Sequence, residues 1–438
     1  MLVERIADGR VCLAVTTRRD APWTALILLA AISTVGFIDR IVVNVLVEPV
    51  KGEFGLSDSQ VSLMGLAFTV LYMGAGLAIA RYAERGRRLS LISFGTLLWS
   101  IATAACGAVG SWGQLLFARM GVGLGEAVGL TSLQSVIADY FPASKRGLAL
   151  STLMLAPPLG AFIGFTGGGW IAQNYDWRFT FLVAAIPGAL LAILAWLFIA
   201  EPARGRHDPG AGDNVPSFLE VLKRLLGLAS ARHLVIGSTI AAMLGFGTNY
   251  FFTSLMVRKF ELGLSEAGLY AGVIASAPAA ISVMLTGWLG DKLGAKHPGA
   301  YAALPGLCLI IGGPFYAFAI TRDDLGVLLG LVSIATLLNF GYLGATYAAV
   351  QNLMHPRMRA TAYALLAAGY GLVSGLGPLF LGLLSDALTV SYGPARGLAL
   401  AMALGGLLYV WAGLHYLMAS RRYAADLQST KGMTTLPS

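Results

Sequence analysis

Charge is scarce in this chain. Only 12% of its 438 residues are Asp, Glu, Lys or Arg, about half the roughly 25% of a soluble domain, so an ordinary solvated globular surface is excluded. Cysteine is nearly absent: Cys12, Cys106 and Cys308 are scattered, with no pairing pattern and no metal spacing, and read as packing residues. The five histidines, at 207, 233, 297, 355 and 415, stand in loops or near the ends of apolar runs, again without ligand spacing. No Gly-Lys dipeptide occurs, so there is no P-loop and no ATP drive from this chain. No metal or cofactor is expected. The first 22 residues, MLVERIADGRVCLAVTTRRDAP, mix charges into a short apolar patch; they lack the core of a cleavable signal and read as a cytoplasmic tail.

What is present is hydrocarbon. Apolar runs of about 20 residues recur twelve times, near 23–47, 61–80, 90–110, 114–138, 148–172, 179–199, 233–257, 267–289, 300–320, 325–354, 361–385 and 397–418. Each is long enough to cross a hydrocarbon layer of about 30 Å as a helix. The runs are continuously apolar rather than alternating, which excludes a barrel. Glycine, at 55 residues, suits close packing of membrane helices. An all-α membrane protein follows.

The formal charge of +8 is explained by its distribution. With both termini inside, the outer loops hold only Lys51, Arg178, Arg258, Lys259, Arg322 and Arg396, and nearly all other Lys and Arg lie on the inner side. That asymmetry sets orientation: a multi-pass protein of the cell inner membrane, both termini cytoplasmic. The basic excess is topological, and no nucleic-acid partner is implied.

A polar stretch divides the runs six and six, giving a first half at 1–200, a linker at 201–232 and a second half at 233–438. The linker opens rich in Gly, Pro and Asp and closes on PSFLEVLKRLLGLA, whose helical apolar spacing predicts an amphipathic helix on the inner membrane surface. The halves repeat. EFGLSDSQVSLMG returns as ELGLSEAGLYAG, IARYAERGRR as GWLGDKLGAK, and DYFPASKRGLALS as NLMHPRMRATAYA, in order and at nearly constant offset. A duplicated six-helix unit is the plan of transporters whose halves rock about a central site.

The loop after the second run resembles the Gly-x-Leu-Ala-Asp-Arg-x-Gly-Arg-Arg signature of the major facilitator superfamily; the copy GWLGDKLG is near the pattern, and RYAERGRR is degenerate, with Glu84 for Asp. FIDR in span 1, RMGVGLGEAVGLTSLQSVIADYFP in span 4 and EPARG after span 6 resemble the spinster branch. The resemblance implies a twelve-helix fold in two pseudo-symmetric halves, with helices 1, 4, 7 and 10 lining a central cavity. It also implies a lysophospholipid or sphingoid-phosphate substrate class.

Four ionisable residues stand deep inside spans: Asp39, Arg40, Arg119 and Glu126. A charge at mid-bilayer costs about 2.5–3.5 kcal/mol even on lenient scales, so each needs a partner and a reason. At about 1.5 Å per residue, Asp39, Arg40 and Arg119 share nearly one level, and Glu126 lies two turns along the face of Arg119. Two acids and two bases sum to zero. Protonating one carboxylate leaves net +1 and frees a guanidinium for an anionic group. Asp39 and Glu126 are therefore expected to carry protons, and Arg40 and Arg119 to hold a negative head group. Opposite them, span 7 offers Asn249, Tyr250 and Phe251, and span 10 offers Asn339, Phe340, Tyr342 and Tyr347. An uncharged aromatic and amide wall suits an amphipathic body.

The signature loops imply an inner gate of Glu84, Arg85 and Arg88 with Asp291 and Lys292, and Arg146 and Arg359 as repeat-related latch partners. The sum is a monomeric, proton-coupled secondary transporter of a lipid-like anion or zwitterion. A proton symporter of a small organic anion is the alternative, because that branch shares the Asp-Arg pair and the Arg with Glu. An enzyme would need clustered catalytic residues at one membrane face, and none stand out.

Overall fold

The structure, a computed structural model, describes residues 21–83, 86–206, 217–355 and 358–433. Helices dominate it. The first half comprises α1 (Pro22–Val45), α2 (Val47–Phe54), α3 (Asp58–Ala83), α4 (Arg88–Gly107), α5 (Trp112–Glu126), α6 (Gly129–Tyr140), α7 (Ala143–Leu153), α8 (Ala156–Asn174) and α9 (Trp177–Phe198). After the linker helix α10 (Phe218–Gly227) come α11 (Ala229–Phe260), α12 (Leu264–Gly294), α13 (Ala300–Ile320), α14 (Leu325–Asn339), α15 (Tyr342–Leu353), α16 (Arg359–Ser374), α17 (Leu376–Tyr392) and α18 (Pro394–Met433).

Among the described residues, eleven helical runs are long and apolar enough to cross a membrane. The expected fourth span, 114–138, is not among them; it forms two helices, α5 and α6, separated at Ala127–Val128 directly after Glu126, as the counted runs α7–α8, α14–α15 and α16–α17 are also each two helices. Arg119 and Glu126 fall inside that expected span, and Asp139 stands just past its end. Gly123 and Gly125 bring α5 into backbone contact with its neighbours: a Cβ at Gly123 would lie 2.3 Å from the Phe68 carbonyl oxygen of α3, and one at Gly125 2.6 Å from the Trp99 backbone nitrogen of α4. That close approach sets α5 against α3 and α4 and carries Arg119 and Glu126 inward.

α1 starts with Pro22 in its first turn, where the missing N–H costs nothing. Its buried stripe runs Ala25, Leu26, Leu29, Ile32, Val35, Gly36, Asp39, Val42, a helical repeat that puts Asp39 on the protein side of the helix. Arg40, turned by about 100° from it, is only partly buried.

Within the first half α4 packs on α9 and α5, and α1 on α8 and α9; within the second, α18 packs on α13, α11 and α17. The halves meet along two seams, α8 against α12 and α3 against α17. At the first seam Gly169 faces Leu264 and Gly268 faces Phe165, backbone to backbone, with no room for a side chain. α10 is closed by a capping box between Ser217 and Glu220 and buries Val221 and Leu225 on the second half. The end of the molecule carrying α2 is called the α2 end, and the opposite end, carrying α10, the linker end.

Candidate functional site

The four intramembrane charges come together between α1, α3, α4 and α5. Asp39, Arg119 and Glu126 are 1%, 2% and 3% exposed. Arg40 Nε donates to Glu126 Oε2 at 2.6 Å, a charge-assisted bond linking α1 to α5. Asp39 Oδ2 accepts from Thr103 Oγ1 of α4 at 3.2 Å. Its other oxygen, Oδ1, has no partner, nor does Glu126 Oε1. Arg119 forms no ion pair with Asp39; its Nε and Nη1 are buried without a hydrogen-bond partner. A buried guanidinium with unbonded donors is an unusual thing to leave in hydrocarbon. The arrangement presents two donors and two acceptors, all unoccupied, inside one cluster.

Two aromatic residues of α3, absent from the sequence expectations, hold the cations in place. Phe68 and Tyr72 stack at 5.3 Å between centroids. Arg40 lies 4.4 Å from the Tyr72 centroid and 5.4 Å from Phe68, and Arg119 lies 5.2 Å from Phe68. Phe68 is thus shared by both guanidiniums, a cation–π contact that partly offsets the desolvation of like charges held close together. The signal was available as two aromatics four residues apart on the second span.

The expected aromatic wall is mostly interior. Tyr250 is 4% exposed and donates to the Val61 carbonyl at 2.8 Å; Phe251 is fully buried. Asn339 and Tyr342 are 4% and 7% exposed. Tyr347 stacks on Tyr363 at 4.5 Å and meets Tyr370 edge-on. Asn249 and Phe340 line a small crevice with Phe252 and Tyr316, and Asn249 Oδ1 accepts from Asn44 Nδ2 at 3.0 Å, joining the halves.

At the linker end, the bonds seen among the described residues for the expected gate residues run within a half or to the chain just after α9. Arg88 donates to Asp139 at 2.5 Å, to Glu201 at 3.0 Å and to Ser135, while Glu201 also accepts from the Leu89 N–H and so caps α4. Arg146 donates to the Ala138 carbonyl and Arg359 to that of Gln351. Asp291 accepts from Tyr301, and Lys292 lies over Trp288. Glu84 and Arg85 lie outside the described residues, as does Cys12.

Among the described residues, a cluster of bonds between halves lies at the α2 end, at residues to which the sequence reading assigned no role. Asp58, 1% exposed at the start of α3, accepts from Arg258 Nη1 and Nη2 of α11 at 2.7 Å each, from Lys51 at 2.5 Å and from Ser385 of α17 at 2.6 Å. Arg258 also donates to Glu48 of α2. Asp386 of α17 accepts from the N–H groups of Asp58 and Ser59, an N-terminal cap supplied across the seam. Among the described residues no group of three or more His, Cys, Asp or Glu could hold a metal ion.

The family model described as Major Facilitator Superfamily matches residues 28–378. An MFS-type efflux pump of Mycolicibacterium smegmatis is 29% identical over 407 residues, covering 92% of this chain and 94% of that protein. The sphingosine-1-phosphate transporter SPNS2 of Danio rerio is 25% identical, covering 92% and 86%. The cis,cis-muconate transport protein of Acinetobacter baylyi is 25% identical over 70% and 75%. Among solved structures, a bacterial homologue of the human lysosomal transporter spinster, inward-facing and unoccupied, superposes with a TM-score of 0.85 at 29% identity, covering 92% of this chain and 98% of that one.

Proposed function

This chain belongs to the Major Facilitator Superfamily, with spinster proteins among its relatives, and on that premise we propose that it moves an amphipathic anion or zwitterion by proton-coupled alternating access. The observation that carries this reading is the buried, unbonded guanidinium face of Arg119 beside the unbonded oxygens of Asp39 and Glu126. Arg119 is the anchor for a negative head group, because its donors are already free and a fork of N–H groups matches phosphate or carboxylate.

Arg40 and Glu126 form the exchanging pair. A proton on Glu126 removes the charge that holds Arg40, which then turns its donors toward an arriving anion. Deprotonation restores the pair and expels the competitor. Asp39, one helical step from Arg40 and bonded through a single oxygen, is the second proton acceptor. The α2 end faces outward, in keeping with the scarcity of Lys and Arg in the loops there.

The lipid-like substrate class draws on the spinster relatives and on the Phe68–Tyr72 stack beside the head-group site. A small dicarboxylate is the second reading, favoured by the muconate-transporting relative and by two guanidiniums in one cluster. Transport into proteoliposomes under an imposed proton gradient distinguishes them: a lysophospholipid and a dicarboxylate are offered in turn. Glu126→Gln and Asp39→Asn are expected to lose proton dependence while retaining exchange of substrate; unchanged proton dependence in both variants would overturn the coupling scheme.

A further inference from the structure

At the α2 end of the α8–α12 seam the molecule has an open crevice of about 660 Å³. Thr166, Gly167, Trp170 and Gln173 of α8 form one wall, and Gly263, Ser265, Glu266 and Leu269 form the other. That volume lies in the range of small-molecule sites. Its height is that of a membrane interface, since α8 ends at Asn174 and α12 begins at Leu264.

The chemistry of the walls is asymmetric. Glu266 is the one charged lining residue; its Oε1 accepts from Tyr270 at 3.0 Å, which leaves the second oxygen available. Gln173 Oε1 accepts from the Ser265 N–H at 2.8 Å, so its amide NH2 is left to donate. Thr166 Oγ1 is buried without a partner. Trp170, 53% exposed, and Leu269, 42% exposed, give the crevice an apolar rim. An acceptor carboxylate, free amide donors and an apolar rim at a membrane interface match one amphiphile: a phospholipid with a primary ammonium and a phosphate in its head.

We propose that this crevice is a binding site for a phosphoethanolamine head group, separate from the transported substrate. Its ammonium pairs with Glu266, its phosphate accepts from Gln173, and its chains lie along Trp170 and Leu269. Anionic heads are disfavoured, because Glu266 has no cation beside it in the lining. The occupant touches both halves where Gly169 and Gly268 bring backbones into contact, so it favours the state closed at the α2 end.

The test is lipid retention by native mass spectrometry on the purified full chain, exchanged in turn into phosphatidylethanolamine, phosphatidylcholine and phosphatidylglycerol. The expected result is about tenfold stronger retention of phosphatidylethanolamine than of phosphatidylglycerol, the factor for one charge-assisted contact worth about 1.4 kcal/mol. Choline, which cannot donate an N–H bond, is expected to fall between them. Glu266→Gln is expected to abolish the preference, with thermal unfolding recorded to show that the variant is folded; Gln173→Ala gives a second, independent loss. Equal retention of the three lipids by the unaltered chain overturns the proposal, and so does a preference that survives both substitutions. Neither result bears on the proton-coupling scheme.

Discussion

The two ends of the molecule bond differently. At the α2 end, Asp58, Arg258, Ser385 and Asp386 link elements of opposite halves. At the linker end, Arg88, Asp139 and Glu201 join the start of α4 to the end of α6 and to the first residue of the linker after α9, and Asp291 bonds within the second half. Among the described residues, one set of bonds joins the halves and the other lies away from that junction. Halves tied together at one end and braced separately at the other suit the parting of bodies that the proposed alternating access requires.

Several outcomes would break or sharpen this contrast. The largest is expected for Arg258→Ala, which removes four bonds to Glu48 and Asp58 and leaves a buried carboxylate with Lys51 and Ser385. Loss of one partner of a buried pair costs about 3–5 kcal/mol. That cost falls on the closed state, so pulsed EPR distances between labels flanking α2 and α12 should shift toward the separated population. Arg88→Ala should cost a similar amount, about 3 kcal/mol by the same rule, but in thermal stability, with the EPR distribution at the α2 end unchanged. If both variants shift the distribution equally, the distinction between ties and braces is lost.

Asp386→Asn retains one acceptor at the start of α3 but gives up the charge; about 1 kcal/mol is expected, as for other helix caps, and a correspondingly smaller EPR shift. The smallest effect is expected from Glu53→Gln. Glu53 pairs with Arg178 at 2.6 Å on an exposed surface, where such bonds contribute about 0–1 kcal/mol. Bonds from Arg178 and Trp177 hold the Glu53 carboxyl below the usual carboxylate range. Its contribution is present above the ordinary Glu value and is lost as pH falls through the lowered one. Thermal unfolding of Glu53→Gln and the unaltered chain should therefore differ slightly near neutrality and converge in acid.

Asp39, Arg40, Arg119 and Glu126 were legible because a charge inside hydrocarbon is anomalous whatever surrounds it. Their pairing was not. Successive residues on a helix point about 100° apart, so only the placement of α5 decided that Arg40 takes Glu126 and that Arg119 takes neither acid. Phe251 and Tyr342 read from the sequence as cavity wall and are buried, because a membrane helix that is apolar on every side does not announce which face is inward. Asp58 and Arg258 escaped notice for the opposite reason: a charge at a span end is ordinary, and its role arises only from what the other half brings to it.

The sequence by itself determined that this chain crosses a bilayer many times in two repeated halves, and that the charge deep inside its spans lies in the first. Those properties are local sums of hydropathy and spacing, and no partner is needed to compute them. Which guanidinium stays unbonded and which end holds the bonds between halves were decided by tertiary structure, because each depends on helices distant in sequence approaching to within a hydrogen bond.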